Sequence, residues 1–183
     1  MTAENKSWEH AGAAVKGYIL PPDQRLEWSS FPSARGLAWT RSTGGLIGAE
    51  EGVLEPDQPG PYRHYHTNLA EIFYVLEGEL LLQIGDQVER AGPGTFAFCP
   101  IGCVHAFRAA GQEAARVLIM ALPPGIGEGY FRELAKLPAD AGEADWERLG
   151  QKWGNIVVGP PLEAGAALSV DQRDSGGPTS SIS

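Results

Sequence analysis

The feature that most constrains this chain is a succession of short, strand-like segments between turn residues, running from about residue 17 to residue 122. The 183 residues include 24 glycines and 14 prolines, more than the usual shares of about 7% and about 5% would give. Segments such as IFYVL and VLIMAL are apolar on both faces, as in strands enclosed between two layers. The pattern predicts an all-β sandwich or barrel of antiparallel strands. We predict strands at residues 17–20, 36–40, 50–55, 62–66, 70–78, 79–85, 95–100, 103–109 and 115–122.

The pattern changes after Gly125, where helical spacing of apolar residues replaces strand alternation. Apolar residues three and four positions apart predict one helix at 127–137 and a shorter one at 141–149. The following segment, NIVVGPPL at 155–162, is predicted to be extended.

The length of the chain suits a single domain. We predict that this domain spans residues 17–162, with its C-terminal helices at about 127–150. Residues 1–16 are polar and rich in Ala and Gly, and we expect a flexible N-terminal arm there. Residues 163–183 are rich in Ala, Gly and Ser with few apolar anchors, which predicts a disordered tail.

Charge and cysteine content point to a cytoplasmic protein. The formal net charge of −9 would repel a phosphate backbone, so no nucleic-acid partner is expected. The opening residues lack a basic segment followed by an apolar run, and no apolar stretch approaches about 18 residues, so we predict neither a secretion signal nor a membrane span. Cys99 and Cys103 are too few for a disulfide framework and suit a reducing compartment.

The residues that carry chemistry lie between residues 60 and 109. His64 and His66 are two apart in a predicted strand, so their imidazoles share one face about 7 Å apart. Glu71 begins the next strand after a polar break, and His105 stands on the strand that leaves a Pro-Ile-Gly turn. Three of the four histidines can therefore converge with one glutamate.

Three imidazoles and a carboxylate suit one divalent transition ion (Fe, Ni, Co, Mn, Cu or Zn) better than Ca or Mg, which prefer oxygen ligands. A divalent ion with Glu71 leaves a net charge of +1, which favours an anionic ligand such as an enolate, phenolate or carboxylate. Four protein ligands also leave coordination positions open, as catalytic sites require.

The two segments resemble the two conserved motifs of the cupin superfamily, G-(X)5-H-X-H-(X)3,4-E-(X)6-G and G-(X)5-P-X-G-(X)2-H-(X)3-N. The positions that match are His64, His66, Glu71 and Gly78 in the first motif and Gly94, Pro100, Gly102 and His105 in the second. Two positions depart: Gly60 lies only three residues ahead of His64, and Ala109 replaces the terminal Asn. The resemblance implies a cupin-type β-barrel, also called a double-stranded β-helix or jelly roll, with His64, His66, Glu71 and His105 as metal ligands.

The rest of the chain is similar to small single-domain dioxygenases of the quercetinase type, in which a Pro/Gly-rich exit like residues 122–125 leads to a helix. The resemblance implies a metal-dependent dioxygenase that acts on a flavonol-like or other enolic or aromatic substrate together with dioxygen. It gives Glu71 a second role as the base that takes the hydroxyl proton of the substrate. It also implies a homodimer.

Four further residues are predicted to line a pocket around the ion. Tyr62, Phe73 and Phe107 share strand parity with the ligands, and Cys103 shares it with His105. An aromatic pocket and simple filling of the barrel are both compatible with this parity. The spacing of Cys103 from Cys99 lacks the paired pattern of structural zinc sites, so we interpret both cysteines as packing or turn residues.

Two other functions fit the same ligands. The protein could be a polyketide cyclase or isomerase that uses the ion only as a Lewis acid, or a small-molecule-binding cupin without turnover. Oxygen consumption distinguishes a dioxygenase from a cyclase or isomerase. Turnover of any substrate excludes a protein that only binds its ligand.

Overall fold

The computed structural model describes residues 16–165, except for 29–32, 39–41, 57, 125–129, 131, 132, 135 and 139. The predicted N-terminal arm and C-terminal tail fall almost wholly outside these residues, so both stay predictions.

Within the described residues the protein consists of eleven strands, a short 3-10 turn at Pro22–Gln24 and one α-helix. The strands are β1 (Leu26–Trp28), β2 (Ser33–Ala38), β3 (Gly48–Leu54), β4 (Tyr62–His66), β5 (Ala70–Glu77), β6 (Leu80–Ile84), β7 (Gln87–Ala91), β8 (Phe96–Cys99), β9 (His105–Ala109), β10 (Ala115–Leu122) and β11 (Asn155–Pro161). The helix α1 spans Glu143–Trp153. The all-β prediction is confirmed.

All strand pairs are antiparallel and form two sheets. The six-stranded sheet has the order β1-β2-β3-β10-β5-β8, and the five-stranded sheet has the order β11-β4-β9-β6-β7. The inner faces of both sheets meet in one apolar core, because alternate residues along each strand point to the same face. Its most buried side chains are Leu54, Phe73, Val75, Leu80, Ala115 and Val117.

Gly60, one of the two departures from the cupin motif, lies where two backbones approach closely. A Cβ atom at this position would stand 1.7 Å from the carbonyl oxygen of Phe107. A glycine is therefore required just before β4, even though its spacing from His64 differs from the motif.

The helix α1 packs over one end of the barrel through a second apolar cluster. This cluster joins Leu149, Trp146 and Trp153 of α1 to Leu69 and to two buried residues of the preceding segment, Tyr130 and Leu134. The chain leaves α1 through Gly154, which has a left-handed backbone, and returns into the five-stranded sheet as β11 beside β4.

Most predicted strands are present with slightly shifted ends, and those at 62–66 and 115–122 have the predicted bounds. The prediction of a strand at 17–20 is wrong: this apolar stretch pairs with no strand among the described residues, and Ile19 is 93% exposed. Strands β1 and β7 were not predicted. The residues of β7 are mostly polar and look like a loop, but pairing along β6 makes them an exposed strand.

The predicted helices are present in part. Tyr130, Glu133 and Leu134 have helical backbone, while other residues of the 127–137 helix lie outside the described part of the chain. The helix predicted at 141–149 runs to Trp153 instead and includes Gly150. A Cβ at Gly150 would lie 2.0 Å from the carbonyl oxygen of Asn155, so the glycine serves close packing against β11 and does not end the helix. No helix among the described residues is long and apolar enough to cross a membrane.

Candidate metal centre

The structure brings together the four predicted ligands, which come from three strands of the barrel. His64 and His66 lie on β4, Glu71 on β5 and His105 on β9. One ligand atom from each residue lies within 4.8 Å of the other three. The Nε2 atoms of His66 and His105 are 3.4 Å and 2.9 Å from Oε2 of Glu71.

Strand pairing and a crossing between the two sheets explain why these residues meet. His64 and His105 are paired across β4 and β9 in the five-stranded sheet, whereas Glu71 lies on the six-stranded sheet. Between them the chain crosses from one sheet to the other, and Leu69, only 1% exposed, anchors the crossing. The amide of Gly102 donates a hydrogen bond of 2.8 Å to the carbonyl of His66, which ties the turn before His105 to β4.

Two imidazole rings are oriented by hydrogen bonds on the side away from the cluster. Nδ1 of His64 lies 2.7 Å from the carbonyl oxygen of Tyr62, and Nδ1 of His105 lies 3.1 Å from that of Cys103. Because a carbonyl oxygen only accepts, each Nδ1 carries a proton, and Nε2 is the nitrogen that each ring turns towards the cluster. Such outer hydrogen bonds are the usual way in which metal-binding histidines are held.

Several buried nitrogens in the cluster have no hydrogen-bond partner among the described residues. These are both ring nitrogens of His66 and Nε2 of His105, whose short distance to Glu71 lacks hydrogen-bond geometry. Metal–ligand bonds of about 2.0–2.2 Å place ligand atoms at most about 4.4 Å apart, which is close to the spread seen here. A bound ion would satisfy these nitrogens, so the residues fit a metal.

The electrostatics favour a cation. Burial, with the neighbouring His105 and His66, lowers the pKa of His64 to about 3, so this ring is neutral. Burial alone would raise the pKa of Glu71, but the His66 and His105 rings outweigh that effect and hold it well below its usual value. The cluster thus offers the neutral imidazole nitrogen of His64 and the ionised carboxylate of Glu71, the ligand forms that metals require.

The four predicted pocket residues pack against different parts of the protein. Phe73 is fully buried, with its ring centre 5.8 Å from that of His105 and 5.2 Å from that of Phe107. Cys103 packs against the barrel core. The ring of Tyr62 contacts Trp146 of α1, with ring centres 5.7 Å apart. That these residues line a substrate pocket stays a prediction.

Sequence reasoning missed two residues near the cluster. Sγ of Cys99, which we interpreted as a packing or turn residue, lies 3.1 Å from Nδ1 of His105. Burial is the main cause that raises the pKa of this thiol, so it stays protonated. The second residue is Glu50, whose side chain is on the inner face of β3. Its neighbour Glu51 has the same chemistry, and only the strand register decides which of the two points inward.

Comparison with known proteins agrees with this description. Residues 51–121 match the family model described as a cupin domain. Quercetin 2,3-dioxygenase of Bacillus subtilis (strain 168) is 35% identical to this chain over 71 residues. This match covers 39% of the present chain and spans only 20% of the length of that relative.

Two solved structures share the fold. A predicted oxalate decarboxylase from Thermotoga maritima has a TM-score of 0.53 at 16% identity, covering 58% of this chain and 99% of its own. An RmlC-like cupin from Shewanella frigidimarina has a TM-score of 0.50 at 15% identity, covering 59% of this chain and 92% of its own. Residues 51–121 are thus similar to a cupin domain, and the barrel contains a cluster able to bind a metal ion.

Proposed function

We propose that the protein is a metal-dependent dioxygenase that acts on a flavonol-like or other enolic or aromatic substrate. The observation that carries the proposal is the convergence of three imidazoles and one carboxylate inside the barrel. The ring of Phe73 lies beside that of His105, and the ring of Phe107 lies beside that of Phe73. The partial likeness to quercetin 2,3-dioxygenase supports the choice of reaction.

The charge of the centre supports the choice of substrate. A divalent ion with the carboxylate of Glu71 carries a net charge of +1 in surroundings where His66 and His105 are almost inaccessible to solvent. An ionised enol or phenol would neutralise this charge, and water screens the attraction little there. The aromatic rings provide an apolar wall for a planar substrate.

His64, His66, Glu71 and His105 would hold the ion. When bound, a transition ion supplies Lewis acidity and a path for electrons between an ionised substrate and dioxygen. The Tyr62 and Cys103 carbonyls keep the His64 and His105 rings in the required tautomer. Glu71 is ionised, so one of its oxygens can take the hydroxyl proton as the substrate binds.

Metal analysis of the purified protein, followed by oxygen uptake with a panel of flavonols and polyphenols, tests this proposal. We expect one dioxygen to be consumed per substrate, with both atoms of ¹⁸O₂ recovered in the products. Ring closure or isomerisation without oxygen uptake would replace the dioxygenase by a Lewis-acid enzyme. Saturable binding without turnover would indicate a binding protein.

Three further properties belong to the proposal. The ion is one of Fe, Ni, Co, Mn, Cu or Zn, and metal analysis identifies it. The protein forms a homodimer, which molar-mass measurement in solution tests. The cupin domain with its C-terminal helices spans residues 17–162, and limited proteolysis tests these bounds.

A further inference from the structure

A second carboxyl group faces the inside of the barrel. Glu50 on β3 pairs with Ile119 on β10, which in turn pairs with Phe73 on β5. Paired residues of an antiparallel sheet project to the same face, and both Ile119 and Phe73 are buried in the core. Glu71 lies in the next row of the same face, beside Ala121. Glu50 and Glu71 therefore share the interior.

Glu50 differs from the neighbouring Glu51 in its partners. Glu51 points to the outer face of the sheet, where Arg25 and Arg116 lie 3.1 Å and 3.3 Å from its carboxylate. Glu50 as a residue is only partly buried, but its Oε2 is inaccessible to solvent and has no hydrogen-bond partner among the described residues. A buried carboxyl oxygen without a partner lowers the stability of the folded protein.

The surroundings of Glu50 keep its carboxyl group neutral. Burial is the main cause that raises the pKa of Glu50 to about 8, and in the metal-free protein the negative charge of Glu71 adds to it. A neutral carboxyl group carries an O–H that can donate one hydrogen bond, and a ligand in the barrel would provide its acceptor.

We propose that Glu50 is a substrate-contacting residue whose carboxyl O–H donates a hydrogen bond to an oxygen atom of the ligand bound at the metal centre. This inference rests on the proposed function, because it takes the enolic or phenolic ligand from there. Glu50 acts from the six-stranded sheet, so it would hold the ligand from the same side as Glu71 and opposite the three histidines. It is not one of the metal ligands.

Binding of quercetin to the Co²⁺-loaded, full-length protein under anaerobic conditions tests the contact. Without oxygen no turnover occurs, and the absorption bands of the flavonol and of Co²⁺ report binding directly. We expect Glu50→Leu to weaken quercetin binding at least tenfold, because no donor remains. Glu50→Gln keeps a donor and should bind within about threefold of wild type. Glu55→Gln, an exposed residue just beyond β3, is the matched control and should bind like wild type.

Co²⁺ affinity and melting of the metal-free variants separate a substrate contact from other roles. We expect Glu50→Leu to bind Co²⁺ as wild type does and to melt at the same or a higher temperature, since an unpaired polar group is removed. A tenfold loss of Co²⁺ affinity would make Glu50 a metal ligand, and a lower melting temperature would make it a structural residue. Either result overturns the inference.

The quercetin titration distinguishes the two proposals from each other. Equal binding by wild type and Glu50→Leu overturns the role of Glu50 and leaves the proposed substrate class intact. Failure of the Co²⁺-loaded wild type to bind quercetin contradicts the flavonol-type substrate, and the role of Glu50 falls with it.

Discussion

His64 and His105 lie directly opposite each other on β4 and β9, with ring centres 4.2 Å apart. Two imidazolium rings at this distance would repel each other strongly, so the pair is compatible with the fold only while at least one ring is neutral. With Nδ1 of each ring bonded to a backbone carbonyl, both Nε2 atoms remain available. The pair is thus able to bind one metal ion through its two Nε2 atoms.

We expect the metal-free protein to lose stability in acid because of His64. Its pKa is about 3 in the folded protein and about 6.5 when unfolded. The unfolded chain therefore binds the extra proton first, and stability falls as pH drops from 6.5 towards 3, by up to about 1.4 kcal/mol per pH unit. Urea unfolding at pH 7.5 and pH 5.5 measures the loss. His64→Gln should lose less stability between these values, and an equal loss would contradict the assignment.

Removal of the metal should abolish activity but leave the fold intact. The barrel core contains large apolar side chains such as Phe73 and Leu80, and each contributes about 1.5–3 kcal/mol without any ion. After chelation we expect an unchanged far-UV circular dichroism spectrum and a cooperative melt, with some loss of melting temperature. Global unfolding on chelation would instead indicate a structural metal.

Replacing Glu71 by Gln should stop turnover even when metal is restored. Gln keeps the size and one oxygen donor but cannot take a proton, so we expect at least about a 100-fold loss of turnover. Oxygen consumption by the variant reloaded with excess metal measures this. Cys103→Ser, which alters a side chain packed against the core, is the control and should have a much smaller effect. Near-normal turnover by Glu71→Gln would make the glutamate a ligand only.

Glu50 should destabilise the metal-free protein in alkali. Its folded pKa of about 8 lies above its ordinary value of 4.5, so the folded state holds the proton more tightly. Its contribution to stability is complete below pH 4.5 and is lost as pH rises towards 8. The difference in free energy of unfolding between Glu50→Gln and wild type should shift in favour of the variant by roughly 1–3 kcal/mol from pH 5 to pH 9. Urea unfolding of both proteins at the two pH values measures this shift. A difference in stability that does not change with pH would mean that Glu50 is not buried as described.

Gly150→Ala should detach the C-terminal helix from the barrel. The added Cβ would lie 2.0 Å from the carbonyl oxygen of Asn155, and such overpacking costs about 1–3 kcal/mol. Thermal melting measures the loss, and Trp146 and Trp153 fluorescence reports the displacement of α1. Gly92→Ala is a matched control, because nothing lies within 4 Å of its Cβ position. Equal melting temperatures for the two variants would contradict the close packing.

The sequence alone determined the antiparallel β architecture and the identity of the four candidate ligands. Strand alternation places His64 and His66 on one face whatever the rest of the chain does, because side chains repeat every two residues. The spacings around Glu71 and around His105 each match one sequence motif, although His105 meets His64 only through the pairing of β4 with β9. Such short-range patterns can be recognised in the sequence without knowledge of the fold.

Tertiary structure decided what depends on contacts between distant segments. Whether 17–20 or 87–91 forms a strand depends on finding a partner strand, and only the second segment has one, since β6 lies beside it. Gly150 lies inside its helix, where the absence of a side chain lets the backbone of β11 approach. Glu50 and Glu51 are adjacent and alike in sequence, and the pairing of β3 with β10 alone sends Glu50 into the barrel and Glu51 to the two arginines. Register across a sheet is a long-range property, because it is set by which residues meet, not by which residues follow one another.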